Sequence, residues 1–293
     1  MGDILTRGTM FPKEVEQKMY NLVVGHSSLA RLSKQEAVPF NGKDIFTFTL
    51  DKEVDIVAEN GAKTKGGATT APVSMVPIKF EYGARVSDEF LYGSEEYKLD
   101  ILMQFAAGFA AKLGRGLDIA AMHGFNPRTG SASTVVGNNH LDYVTTSNVV
   151  TYNANTADLN IDAAIALCNG NVNGIAMSKT MRSAIAALVT NNARKYPEFA
   201  FGGAPKELGA SVLDVNNTVE FNSSKARAYV GDFSAFRWGY AKQMPLKVIE
   251  YGNPDNDATL GDLQGHNQVY LRSEAYIAWA FLDSTRFAVV KTS

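Results

Sequence analysis

Residues able to act as nucleophiles, proton carriers or metal ligands are few in this chain, and their spacing assembles no site. Four histidines are present, and no two of them stand at a ligand or catalytic spacing; His123 at the end of a helical run and His140 in a polar stretch read as local hydrogen-bonding residues. The single cysteine, Cys168, excludes an intramolecular disulfide and any multi-cysteine metal site. It closes the apolar run Ala-Ala-Ile-Ala-Leu-Cys and reads as a small buried hydrophobe. Neither a Gly-x-Ser-x-Gly elbow nor His-Glu-x-x-His occurs. Gly61-Ala-Lys-Thr-Lys-Gly-Gly resembles a phosphate loop only superficially, because Gly67 stands where the lysine is needed and no helical run follows. Gly114-Arg-Gly-Leu-Asp-Ile lacks the third glycine of a dinucleotide turn and lies inside a helical run. Asp255-Asn-Asp with Gly261 has no closing glutamate for calcium and reads as a solvated turn. The sequence therefore assigns no catalytic, cofactor-binding or metal residues, and the expectation is a protein that is not an enzyme and carries no cofactor.

Composition narrows the class further. The chain has 293 residues, 45% hydrophobic and 20% charged, normal for a soluble globular protein with one sizeable core or two modest ones. A net charge of −2 argues against a dedicated nucleic-acid surface, which carries a basic excess or stripe. No apolar run approaches the ~18 residues of a membrane span. The opening Met-Gly-Asp-Ile-Leu-Thr-Arg-Gly lacks a signal-peptide layout, so synthesis in the cytosol is expected, and Asn216-Asn-Thr and Asn222-Ser-Ser are not read as glycosylated.

The elements follow from periodicity. Residues 1–36 read as an arm with one short amphipathic helix, Pro12 at its start and Gly25 at its end. From Asp44 to Val86 a long hairpin is expected. Its first arm, Ile45 to Val57, opens with Phe46, Phe48 and Leu50 on one face; its second, Val76 to Val86, alternates Val76, Ile78, Phe80 and Tyr82 against Pro77, Lys79 and Glu81. Between the arms, Asn60 to Thr70 holds no large apolar residue and reads as an exposed tip. Two strands cannot bury enough surface to be stable alone, so such an arm needs something to lie on.

A long helix is expected from Ser94 to His123, with Ile101, Phe105, Phe109, Leu113 and Leu117 at i, i+4 spacing and Gly124 as its stop. Residues 125–157 read as a polar linker with room for one short strand pair. An α+β unit follows, with a helix over Ile161 to Leu167, a buried strand over Gly174 to Met177, a helix N-capped by Ser178, and strands at Ala210 to Val215, Arg227 to Val230 and Leu246 to Tyr251. Asn253 to Gly265 reads as an exposed loop, and two strand runs joined at Asp283-Ser-Thr close the chain.

The order of these segments resembles the major capsid protein family of tailed bacteriophages, with its Hong Kong 97-type capsid fold. Val57-Ala-Glu-Asn-Gly, the Lys63/Lys65 tip and the return to Ala84-Arg-Val-Ser look like that family's extended loop. Ser94 to His123 before Gly124-Phe-Asn-Pro looks like its spine helix. Gly174-Ile-Ala-Met-Ser-Lys-Thr-Met with Tyr196-Pro-Glu-Phe-Ala-Phe-Gly-Gly looks like its axial domain, and Arg272-Ser-Glu-Ala with Asp283 through Lys291 looks like the closing strands of its peripheral domain. The resemblance implies an α+β chain divided into an N-terminal arm (1–36), extended loop and flanking strands (37–93), peripheral domain with spine helix (94–154), axial domain (155–265) and closing peripheral strands (266–293).

The resemblance further implies a structural protein of the virion capsid, assembled in the host bacterial cytoplasm. It would form hexamers and pentamers that tile an icosahedral shell around double-stranded DNA, contacted without sequence preference. Asn60, Gly61, Lys63, Lys65, Gly66 and Gly67 would contact an adjacent subunit. Other expected partners are separate scaffold, portal and decoration proteins, and no membrane. Some relatives cross-link a loop lysine to an asparagine of a neighbour; no asparagine can be matched here, and no bond is assigned. Two alternatives stay open: an encapsulin-type compartment shell, and a cytosolic enzyme with a site in residues 155–262.

Overall fold

The computed structural model describes residues 26–93, 95–222, 224–242 and 246–293; the helix expected over Pro12 to Gly25 and the cap expected at Ser94 lie outside them. In chain order the elements begin with α1 (Ser28–Leu32), β1 (Lys43–Leu50), β2 (Ala68–Met75), β3 (Ile78–Ser87), α2 (Glu89–Tyr92) and α3 (Glu95–His123). There follow α4 (Leu141–Val144), β4 (Val149–Thr151), α5 (Ala157–Leu167), β5 (Gly174–Met177), α6 (Lys179–Ala187), β6 (Val189–Thr190), β7 (Ala193–Arg194), β8 (Glu207–Leu208) and β9 (Ser211–Val215). The last are β10 (Ala226–Gly231), β11 (Phe236–Lys242), β12 (Leu246–Ile249), β13 (Gln268–Phe281) and β14 (Phe287–Lys291).

Two sheets organise these strands. In a four-stranded sheet, β13 pairs with β3 along one edge and with β11 and β12 along the other. In a six-stranded sheet the order is β4, β14, β10, β5, β9, β8. The closing strands thus part company, β13 into one sheet and β14 into the other, and β11 and β12 cross from the 155–265 segment to join β13. Helix α3, 29 residues and about 44 Å long, serves both sheets. Its Ala106, Phe109, Leu113 and Leu117 pack in one cluster with Trp238, Ile277 and Trp279 of the first sheet and Tyr229 and Phe287 of the second. The far face of the six-stranded sheet is covered by α5 and α6, where Ile161, Ala164, Met181 and Ile185 meet Ile175, Met177, Val230 and Val290.

The hairpin differs from its expected form. Its return strand is β2, paired with β1 from Lys43↔Met75 to Leu50↔Ala68. The alternating run from Val76 to Val86 is instead β3, which leaves the hairpin at Pro77 and pairs with β13 from Ile78↔Ile277 to Ser87↔Gln268. That alternation is a genuine half-buried strand: Ile78 and Phe80 pack on the α3 cluster, while Lys79 pairs with Glu81 and Glu274. Periodicity names the face that is buried, not the neighbour that covers it. The true return strand, Ala-Thr-Thr-Ala-Pro-Val-Ser-Met, hides because it is weakly apolar and contains Pro72, a residue tolerated where a strand has an open edge. Each arm is 8 residues, about 26 Å, shorter than the arms expected.

The base of the ribbon is fastened to the body. Met75 is fully buried and, with Val38, Ile45 and Val73, packs on Ala278 and Ala280 of β13. Residues 35–38 run beside β11, where the Glu36 amide donates to the Trp238 carbonyl at 2.8 Å. Gly239 makes this approach possible, because a Cβ there would lie 2.0 Å from the Glu36 carbonyl oxygen. Glu36 in turn pairs with Lys43 at 3.2 Å and Arg237 at 2.7 Å.

Just upstream, α1 is locked by a buried carboxylate. Asp118 of α3, with no exposed surface, accepts hydrogen bonds from Ser27 Oγ (2.6 Å), the amides of Ser28 (2.9 Å) and Leu29 (3.1 Å), Thr218 Oγ1 (2.7 Å) and Asn216 Nδ2 (3.4 Å). Asp214 adds bonds from Ser28 Oγ and Arg31, both at 2.5 Å. Burial pushes the Asp118 carboxyl up to about 6, against the pull of its donors. Asp118→Ala strands several buried donors and should lower the unfolding free energy by on the order of 3 kcal/mol, read by urea denaturation. The folded chain holds this proton at a higher pH than the unfolded chain does. The contribution of Asp118 to stability therefore rises as pH falls through 6 toward 4, and Asp118→Asn should abolish that component.

Candidate inter-subunit contact site

The ribbon carries its loop away from the body. Residues 51–67 connect β1 to β2 without regular structure, and all of residues 51–70 are exposed. The neck of the loop is closed by Asp51, whose Oδ1 accepts from the Gly67 amide at 2.6 Å and whose own amide donates to the Gly67 carbonyl at 3.2 Å. Within it, Asn60 takes a left-handed φ of 66° and Gly61 donates to the Ala58 carbonyl at 2.8 Å, forming a turn. Asn60, Gly61, Lys63, Lys65, Gly66 and Gly67 are thus brought together on one exposed loop of their own chain. Thr69 and Thr70, expected in the tip, belong to β2.

Polarity at the tip is only half of the surface. Phe46, Phe48 and Leu50 on β1 are 72%, 66% and 67% exposed, and Val54 and Ile56 in the loop are 94% and 97% exposed. An apolar series this long and this exposed among the described residues marks a surface made to be covered. The sequence showed the alternation of Phe46, Phe48 and Leu50 but not its consequence, since alternation does not reveal that the inward face has no interior to face.

Elsewhere, residues of types able to do chemistry are bound into the framework. His123 bridges Asp142 Oδ2 and the Thr218 carbonyl, both at 2.9 Å, and Tyr229 donates to Asp142 Oδ1 at 2.6 Å. Burial works to raise Asp142, and the bonds from His123 and Tyr229 outweigh it and hold the carboxyl below its ordinary value. This triad ties α3, α4 and β10 together with the imidazole fully enclosed. The acidic turn at Asp255 holds a guanidinium: Arg85 of β3 donates to Asp255 Oδ1 (2.5 Å), Asn253 Oδ1 (2.9 Å) and the Gly261 carbonyl (2.9 Å). Among the described residues no three His, Cys, Asp or Glu gather as metal ligands, and no helix is long and apolar enough to cross a membrane.

A helix shared by two sheets, an apical layer of helices and a fastened ribbon with an unburied apolar face define a shell-building subunit of the Hong Kong 97-type capsid fold. Known proteins agree. A model described as Phage capsid family matches residues 8–292. A solved chain from Mycobacterium phage Ogopogo is 31% identical, covers 92% of each chain and superposes with a TM-score of 0.77. One from Gordonia phage Cozz is 24% identical over 91% of this chain and 87% of its own, with a TM-score of 0.74. The capsid of a native GTA particle, at 12% identity over 91% and 90% of the two chains, shares the fold with a TM-score of 0.62. No curated protein matches. The chain belongs to the phage capsid family and is a structural major capsid protein of the virion.

Cys168, read as a small buried hydrophobe, is only partly buried. Its thiol contacts the carbonyls of Ala164 and Val230 at 3.3 and 3.5 Å, and burial pushes it up to about 11. At pH 8 its thiolate fraction should fall about a hundredfold below that of a free cysteine. Alkylation by iodoacetamide should be slower by at least that factor in the native chain, and ordinary in urea.

Proposed function

We propose that the chain assembles into hexamers and pentamers that tile an icosahedral shell around double-stranded DNA, and that the β1–β2 ribbon lies over an adjacent subunit. The single observation carrying this reading is the apolar series from Phe46 to Ile56, bare in the isolated chain. Covering each large side chain contributes about 1.5–3 kcal/mol, and the same contact repeated around a closed shell multiplies that gain. The polar tip, Asn60 to Gly67, reaches furthest along the neighbour and supplies Lys63 and Lys65 as rim contacts. The division expected from the sequence, 94–154 with 266–293 as the peripheral part and 155–265 as the axial part nearest the capsomer centre, is adjusted to the sheets: β13 with β3, β11, β12 and α3 acts as the peripheral part, and the remainder of 155–265 with β14 as the axial part. Assembly takes place in the host cytoplasm with separate scaffold, portal and decoration proteins, and the near-neutral chain meets the packaged DNA without sequence preference. Its work is mechanical, with no reaction to catalyse.

The double variant Phe46→Ser/Phe48→Ser tests this. Both side chains are solvated in the single chain, so the melting of the subunit should change by less than about 1 kcal/mol. Particle formation, followed by negative-stain electron microscopy and size-exclusion chromatography, should be lost. Unfolded subunits would assign the two rings to the subunit's own core, and undiminished particles would remove the ribbon from the contact.

A further inference from the structure

Among the described residues, one aromatic side chain is pushed entirely into solvent by a backbone that resists it. Phe201 is 100% exposed and takes a left-handed conformation, φ 52° and ψ 30°, followed by Gly202 at φ 90°. For a bulky residue this conformation is an outlier, and such strain persists only where the surroundings enforce it. They do so here. Phe199, two residues earlier, is fully buried in the core beneath α6, and the Gly203 amide donates to the Ala200 carbonyl at 2.9 Å. Arg182 of α6 reaches the Gly203 carbonyl at 3.4 Å. The ring projects between these anchors, with the Arg194 guanidinium 5.2 Å from its centroid. The Arg194 guanidinium offsets part of this cost, and with the side chain otherwise solvated the arrangement gains further when the ring is covered.

A surface suited to it exists on the same chain. Helix α5, Ala-Asp-Leu-Asn-Ile-Asp-Ala-Ala-Ile-Ala-Leu, is apolar on both sides. Ala157, Ile161 and Ala164 face the core, and Leu159, Ala163 and Ala166, at i, i+4 and i+7, form an opposite stripe that is exposed. A second apolar stripe left in solvent opposite the core-facing one marks a surface made for contact. The two alanines leave room for an inserted ring, and Asp162 beside them is acidic where Arg194 beside the ring is basic.

We propose that Phe201 of one copy seats on the Leu159–Ala163–Ala166 stripe of α5 in the next copy, with Arg194 of the first facing Asp162 of the second. When the giving and receiving patches of one copy engage two different neighbours, the contact runs head to tail and generates a ring if the rotation closes. This rests on the reading above that copies of the chain form capsomers, and it names one contact that holds a capsomer together.

The test pairs Glu198→Cys, exposed and three residues before the retained Phe201 ring, with Ala166→Cys in the full chain carrying Cys168→Ser. Oxidised particles should give a ladder of disulfide-linked species reaching five and six copies on non-reducing gels, collapsing to monomer in reductant. Each single-cysteine control should stop at dimer or monomer. Oxidised particles that yield only monomer, including a faster-migrating internally linked one, overturn the contact. As a second measurement, Phe201→Gly relieves the backbone strain, so the subunit should melt no lower than wild type while particle yield at fixed concentration falls at least tenfold. Undiminished yield from Phe201→Gly overturns this contact alone. A wild-type chain that never leaves the monomer overturns the assembly reading, and the contact with it.

Discussion

The packing of α3 against both sheets at once is the constraint on which this subunit depends. From Ala106 to Met122 the helix presents buried side chains to Trp238, Ile277 and Trp279 on one sheet and to Tyr229 and Phe287 on the other. Loss of the helix would uncover apolar side chains of both sheets. The polar ties cluster along the same element. Asp118 holds α1, and His123 holds α4 through Asp142, so the buried ionisable residues of α3 fasten neighbouring segments to it.

A body organised in this way can carry a projecting ribbon without support from the ribbon itself. β13 receives β3 for ten residues on one edge, and the base of the hairpin packs on the same strand through Met75. Beyond that base, β1 and β2 bury little. A two-stranded ribbon is marginal alone in water, and the exposed Phe46, Phe48 and Leu50 are a liability for a monomer. In a capsid subunit the same features are the means of association. Stability within the subunit and cohesion between subunits thus draw on different residues, which lets one folded body meet its neighbours in repeated copies.

The elements most legible in the sequence were those whose signal is local. The helix ending at His123, the strand Gly174–Met177 and the Ser178 cap, whose hydroxyl accepts from the Met181 amide at 3.1 Å, stand where periodicity and capping chemistry place them. β11, Phe-Arg-Trp-Gly-Tyr-Ala-Lys, escaped notice because Gly239 interrupts the strand pattern. Its need appears only once the Glu36 carbonyl is seen against it. Phe201 lay within a segment read for its resemblance, with no local sign that its ring faces out.

The sequence by itself determined the α+β composition, the long helix, the absence of local catalytic or metal motifs and, through the order of its segments, the family. These rest on interactions within a turn or a strand, which residue types and spacing report directly. Only the tertiary structure decided which strand pairs with which. It moved Val76 to Val86 out of the hairpin and into the sheet beside β13, put Ala68–Met75 in its place, and sent β13 and β14 to separate sheets. Pairing depends on which apolar faces meet after collapse, a non-local choice that an alternating pattern leaves open. For the same reason the exposed faces of the ribbon and of α5 became visible only once the described elements had taken their places.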